Sequence, residues 1–475
     1  METDLIDIPI EVLNTITPDQ AWHYQIIPRF TDSDSLELFC PGELISSGTV
    51  EELEIVFGKT IVLHTASENA IKKTLSRYYA GRSDQNSTCL KEELSNDFLQ
   101  DLIGQANRLK SSDIHIEMSE QIGRIRFRVD GRLSEKYLIN KEDYPGLINK
   151  IKILANLDIA EKRLPQDGRL LFRTSAHQHD IRVSVIPTMF GEKVVMRLLR
   201  KSGISIELSG LGFRGNQYSD YLEGVGKTNG IILISGPTGS GKTTTLYATL
   251  NYLNRKDINI LTIEDPIEYT IDGINQVQLR DNIGLTYGRA LRTFLRQDPD
   301  IIMLGEIRDT ETAEMAIRAA LTGHLVLSTI HTNSAWGIVT RLIDMGIPPF
   351  LLAGTLNSVV AQRLVRKLCP LCKKEGRYND DIPSGHNSSD IQPAIQFLPV
   401  GCEACQYTGY SGRVALFEVI NIDYELRRMI RESEPDIENY IMSKSLINLR
   451  QSAFKLFAEG ITSRDEIYPI MITSL

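Results

Sequence analysis

The spacing of apolar and polar residues changes rhythm twice along this chain. Apolar runs at 53–57 and 60–63, on either side of Gly58, predict two strands, and 66–79 has the spacing of a short amphipathic helix. Polar residues then dominate from 81 to 96, among them Ser83, Asp84, Gln85, Asn86 and Ser87, which predicts a linker. A helical period returns at 98–109. Residues 113–117 and 123–129 alternate polar with apolar, as half-buried strands do, and Asp130-Gly131 after them is a hairpin-turn signal. A helix at 148–157 and strands at 180–185 and 193–199 complete an α+β pattern. From about 213 the rhythm becomes short apolar runs separated by helical stretches, the mark of a parallel α/β core. The reading is therefore a small N-terminal α/β domain at 1–80, a linker at 81–96, a middle α+β domain at 97–204, a linker at 205–212, and an α/β domain at 213–475.

The ends of the apolar runs carry the chemistry. The run 231–234 leads into Gly236-Pro237-Thr238-Gly239-Ser240-Gly241-Lys242-Thr243, which fits G-x-x-x-x-G-K-[ST] at every fixed position, with helix formers from Thr244 onward. Glycines let backbone N–H groups turn toward phosphate oxygens, and the helix adds its positive end. Lys242 is expected to reach the β- and γ-phosphates of ATP, and the Thr243 hydroxyl to ligate Mg²⁺. The run 258–263 ends at Glu264-Asp265-Pro266-Ile267-Glu268, three carboxylates close enough to need a cation. The run 301–304 ends at Gly305-Glu306. Gly305 stands where the second nucleotide motif carries a metal-binding aspartate, and Glu306 is placed to orient or deprotonate water. An ion pair with Arg308 is the competing reading of Glu306. The run 325–330 ends at His331, beside Thr329, Thr332 and Asn333, a plausible γ-phosphate sensor; His324, before the strand, is a weaker one. Ligands of open α/β sheets bind outside the carboxyl ends of strands, so the four endings predict one shared site. Candidate cationic partners for the developing charge are Arg292 and Arg296, before the acidic strand, and Arg182 and Arg197 in the middle domain, though spacing alone does not single out the last two and a surface ion pair is the competing reading of each.

Composition removes other classes. No apolar run in the 475 residues approaches the roughly 18 a membrane span needs, and residues 1–10 predict no secretory signal. A net charge of −9 disfavours broad nucleic-acid binding. Of six cysteines, four form the pairs Cys369-x-x-Cys372 and Cys402-x-x-Cys405. Four thiolates suit a closed, structural tetrahedral Zn²⁺ site, with the long spacing between pairs predicting a protruding loop. Two rivals to an ATP-driven motor on protein cargo stay open: a nucleic-acid motor gripping through the cysteine loop, and a nucleotide-gated scaffold without turnover.

Together these residues closely resemble the ATPases of type II secretion and type IV pilus assembly. The matching blocks span about 97–475. They include Arg163-Leu164-Pro165-Gln166-Asp167-Gly168-Arg169, the phosphate loop, Thr262-Ile263-Glu264-Asp265-Pro266-Ile267-Glu268-Tyr269, Leu295-Arg296-Gln297-Asp298-Pro299-Asp300, Gly305-Glu306-Ile307-Arg308-Asp309, and the segment from Thr322-Gly323-His324 to His331-Thr332-Asn333. Glycine in place of the aspartate at 305 is usual there. The resemblance implies a RecA-like ATPase domain behind a PAS-like middle domain, with a docking domain before both. It implies a homohexameric ring with nucleotide between the two domains, and Arg182, Arg197, Arg292 and Arg296 facing phosphate. It further implies a cytoplasmic protein, peripheral to the inner membrane, bound to a membrane platform protein and to the cytoplasmic domain of a docking membrane protein. The work implied is (pseudo)pilus assembly for type II secretion, with type IV pilus extension or DNA uptake as the alternative. The cysteine insertion, 369–405, resembles assembly rather than retraction ATPases. No nucleic-acid partner is expected.

Overall fold

Parallel strands cannot be joined by a tight turn, and the first sheet already shows the consequence. It orders β1 (Ile27–Thr31), β2 (Ser35–Pro41) and β3 (Thr60–Ala66) side by side, β1 antiparallel and β3 parallel to β2. The helix Ser47–Phe57 makes the crossover from β2 to β3. The computed structural model describes residues 6, 8, 12, 15–32, 34–42, 47–79, 88–89, 98–173, 178–199, 207–376, 395–434, 437–444 and 446–473. The helix corrects the strand expected at 53–57. Leu53 is fully buried, with Val50 and Phe57 packed on the same core, whereas Ile55 is 84% exposed. That is a spacing of three and four, so tertiary burial overrides the β-propensity of Ile55 and Val56.

The second sheet orders its strands β4-β7-β6-β5-β10-β9-β8, comprising β4 (Thr88–Cys89), β5 (Asp113–Met118), β6 (Ile122–Val129), β7 (Arg132–Asn140), β8 (Gln166–Arg173), β9 (Gln178–Thr188) and β10 (Gly191–Leu199). Thr88–Cys89, inside the expected linker, pairs in parallel with β7; the rest of 81–96 lies outside the described residues. Asp130 (φ 47°) and Gly131 (φ 88°) make the tight β6–β7 turn. One sheet face packs on the helices Phe98–Arg108 and Tyr144–Leu154. The other carries charge. Register aligns Arg128, Asp113, Arg197, Arg182 and Arg169 in one row across β6, β5, β10, β9 and β8.

The third sheet orders β13-β12-β14-β15-β11-β16-β19. Its members are β11 (Gly230–Ser235), β12 (Ile260–Glu264), β13 (Asn275–Gln278), β14 (Ile301–Leu304), β15 (Leu325–Ile330), β16 (Leu356–Leu368) and β19 (Tyr410–Asn421). β17 (Lys374–Gly376) and β18 (Gln396–Leu398) form a separate pair. The pairs β12–β13, β12–β14, β14–β15, β11–β15 and β11–β16 are parallel. Ile231 and Leu233 enter one hydrophobic core, Ile232 and Ile234 another. Both faces of the sheet are thus covered, which is why these strands read as unbroken apolar runs.

By its packing the chain divides into two units. One holds Met1–Lys201 with Cys369–Lys374 and Leu398–Ser411; the other holds Ser202–Leu368, Glu375–Phe397 and Gly412–Leu475. The cysteine segments, expected within the α/β domain, therefore group with the first unit, where Lys136 of β7 donates to Gln406 Oε1 at 3.2 Å. The loop tip at 377–394 lies outside the described residues. Leu208–Leu211, in the second expected linker, is a 3-10 turn with Leu208 buried in the second unit's core.

Helix and strand make opposite demands at 53–57, because residues 53 and 55 share a face only in a strand. Leu53→Ala should cost about 2–4 kcal/mol in chemical unfolding and Ile55→Ala less than about 0.5 kcal/mol. Equal costs would fit a strand.

Candidate active site

Sheet order sets the site. β12, β14, β15 and β11 are consecutive parallel neighbours, so Glu264, Gly305-Glu306, His331 and Gly236 emerge along one edge. The four predicted strand endings meet there.

At β11 the chain turns through Gly236 (φ 149°), Gly239 (φ 81°) and Gly241 (φ 88°) into the helix Lys242–Leu253. A Cβ on Gly236 would lie 2.4 Å from the Gln362 carbonyl oxygen of β16, so only glycine fits. No side chain caps the first amides of that helix, leaving them for an anion. Pro237, Thr238, Thr243 and Thr244 lie at the exposed mouth of the loop. Lys242 Nζ donates to the carbonyls of Gly236 (2.7 Å) and Pro237 (3.1 Å). Burial lowers the Lys242 pKa, and Glu306 opposes that shift. Ser240 Oγ is buried in the loop without a hydrogen-bond partner among the described residues, a polar group suited to a phosphate oxygen.

The carboxylates divide into two kinds. Glu264 is buried and fully engaged: Thr262 Oγ1 (2.6 Å) and Gln276 Nε2 (3.1 Å) donate to one oxygen, and the Tyr247 hydroxyl to the other. Burial, then the charge of Glu264, raises the Tyr247 pKa and keeps its proton in place. The Glu268 amide donates to the same hydroxyl at 3.3 Å, while Asp265 is exposed. Glu306 sits more openly, with a side chain 15% exposed, between Arg308 on one oxygen and His331 Nε2, at 3.2 Å, on the other. Glu306 is thus ion-paired with Arg308 while it stands at the shared edge.

A family profile described as Type II/IV secretion system protein matches residues 88–469. The chain belongs to that family. The type IV pilus assembly ATPase PilB of Myxococcus xanthus is 39% identical, covering 97% of this chain and 87% of its own length. The type II secretion system ATPase E of Vibrio cholerae is 45% identical over 77% of this chain and 73% of its own. Among solved structures, the pilus retraction motor PilT with bound ADP aligns with a TM-score of 0.53 at 26% identity, over 78% of this chain and 95% of that one. The Legionella pneumophila ATPase DotB shares the fold, with a TM-score of 0.62 at 23% identity, over 82% of this chain and all of its own. The protein is a secretion ATPase with a RecA-like nucleotide domain, and no helix among its described residues is long and apolar enough to cross a membrane.

The predicted cations of this secretion ATPase are less gathered than its anions. Arg292 Nη2 donates to Glu311 at 2.6 Å, and Arg296 Nη1 to the Arg292 carbonyl at 2.9 Å. Arg197 Nε donates to Asp113 Oδ1 at 2.9 Å and stands opposite Arg182 in the sheet. His324 is at the far end of β15 from His331, its ring hydrogen-bonded with the Ala319 carbonyl at 2.8 Å. It caps a helix end and does not join the site. Arg363, which no sequence motif marks, does: Nη2 donates to the Asn333 carbonyl at 3.0 Å, and its charge acts on Lys242. Gln362 beside it accepts from Thr245 Oγ1 at 2.8 Å. Both lie on β16, whose sequence has no phosphate-motif spacing; only the strand's place next to β11 reveals them.

The Sγ atoms of Cys369, Cys372, Cys402 and Cys405 lie within 4.8 Å of one another, with contacts of 3.7–3.9 Å. Zn–S bonds of about 2.3 Å in a tetrahedron place sulfurs about 3.8 Å apart, so the set fits zinc. Amides of Gly401 and Gly409 donate to Cys372 and Cys405 at 3.3 Å, the surroundings a thiolate needs.

Gly236→Ala tests the loop. The methyl cannot enter beside Gln362, and a displaced loop should lose nucleotide affinity by about a hundredfold or more in equilibrium titration. Native affinity in the variant would refute that geometry.

Proposed function

We propose that this secretion ATPase is a cytoplasmic, homohexameric motor on the inner membrane, hydrolysing ATP to drive (pseudo)pilus assembly for type II protein secretion. The observation that carries the reading is the single sheet edge holding the phosphate loop, Glu306 and His331. The curated relatives, named for type IV pilus assembly and type II secretion, supply the system. A membrane platform protein and the cytoplasmic domain of a docking membrane protein are its partners.

In this mechanism Lys242 leaves the loop carbonyls for the β- and γ-phosphates of ATP, and loop amides with Ser240 Oγ hold the remaining oxygens. Mg²⁺, held by Thr243 and waters facing Asp265, Glu268 and buried Glu264, would neutralise charge between the β- and γ-phosphates. Glu306, oriented by Arg308 and His331, aims the attacking water. His331 senses the γ-phosphate through its contact with Glu306, and Arg363 carries loop position to Asn333. Arg182 and Arg197, with Arg292 and Arg296, complete sites in the ring. ATP does mechanical work only by favouring a closed arrangement that its products do not.

Steady-state phosphate release with Mg-ATP, with native mass in parallel, tests this. Glu306→Gln should lower turnover by about 10²–10⁴-fold and keep ATP binding, while Lys242→Ala loses binding as well. Retained turnover in Glu306→Gln would end its assignment. Hexamers that bind but never hydrolyse ATP, even with the membrane partner, would make the protein a scaffold.

The cysteines make a separate prediction. Purified protein should carry about one zinc per chain, and Cys402→Ser should lose it, with a lower unfolding temperature. Full zinc content in that variant would remove the site.

A further inference from the structure

The second nucleotide motif of P-loop NTPases at large carries a metal-facing aspartate where this chain has Gly305. Something else stands in that place. A Cβ built on Gly305 would lie 2.8 Å from the hydroxyl oxygen of Tyr287. Tyr287 opens the helix Tyr287–Phe294, and its ring packs in the core with Ile263, Leu304 and Ile307. The residue is 9% exposed. Its hydroxyl is buried without a hydrogen-bond partner among the described residues. An unpaired buried hydroxyl is unfavourable, and the packing of the ring does not require the oxygen.

The surroundings say what the oxygen is for. Burial and the charges of Glu306, Asp265 and Glu264 raise its pKa against the opposing effect of Arg308, so it stays a neutral group able to donate. An aspartate at 305 would add a fourth carboxylate to three already crowded there, whereas a hydroxyl adds hydrogen-bonding capacity without charge. We propose that Tyr287 is a positioning residue of the nucleotide site, its hydroxyl standing in for the missing aspartate side chain by hydrogen-bonding a water of the Mg²⁺ shell. The proposal rests on the reading that the site binds Mg-nucleotide.

The test uses the full chain and a fluorescent ADP analogue titrated with Mg²⁺. Tyr287→Phe should raise the Mg²⁺ concentration at half-saturation roughly tenfold, about the worth of one hydrogen bond. Analogue binding without Mg²⁺ and the unfolding temperature without nucleotide should not fall. If the wild type needs Mg²⁺ and the variant needs it equally, the tyrosine proposal is overturned while the nucleotide site stands. If the wild type itself binds equally with and without Mg²⁺, the metal side of the site fails and the tyrosine proposal with it. Gly305→Ala supplies the second readout. Its methyl meets the hydroxyl, so its loss of unfolding temperature should shrink in the Tyr287→Phe background. Equal losses in both backgrounds would place the hydroxyl elsewhere and overturn the proposal.

Discussion

Parallel pairing of β11 with β15, and of β15 with β14 and β14 with β12, is the constraint on which the rest depends. Parallel strands end on the same edge, and those of this sheet are buried on both faces. Register is then fixed by two cores at once. A slip of one residue in β14 would exchange Ile301 and Ile302 between cores and carry Glu306 to the wrong face. The side chains at the sheet edge are thus aimed by hydrophobic burial several residues away from them.

The same edge collects negative charge that the fold must balance. Glu264 is held by three uncharged donors that leave it little freedom, which suits a fixed wall. Glu306 is held by Arg308 and by the His331 ring, both half-exposed, which leaves it freer to change partners. Two glutamates with similar sequence surroundings become different instruments because one strand ends beneath a tyrosine and the other beside a histidine.

Much of this was legible in the chain. The apolar runs located β11, β12, β14 and β15, and the rule that ligands gather at strand ends brought Gly236, Glu264, Glu306 and His331 to one place. Strict alternation located β5 and β6 equally well. Edge strands such as β8 and β13 escaped, because they have no continuous apolar signature. The helix Ser47–Phe57 was misread because Ile55 and Val56 are β-formers that the fold leaves in water. Arg363 and Tyr287 were invisible for a different reason: each reaches the site from a neighbouring element, and sequence spacing does not encode which strands lie side by side. His324, inside a recognisable motif, turned out to cap a helix.

The charged row on the middle sheet bears on how such a machine can let go. Arg197, Arg182 and Arg169 stand about 5 Å apart from strand to strand, while Asp113 lies between Arg197 and Arg128 and pairs with both, and Asp180 pairs with Arg169. That spacing is inside the screening length of physiological salt, about 8 Å, so each guanidinium feels the next. Backbone hydrogen bonds hold the row in register, and Asp113 and Asp180 offset part of its mutual repulsion. On the proposal that Arg182 and Arg197 face nucleotide phosphate, the extra negative charge of a triphosphate over a diphosphate would be drawn more strongly to the cationic side of this row, a difference in grip set by one charge.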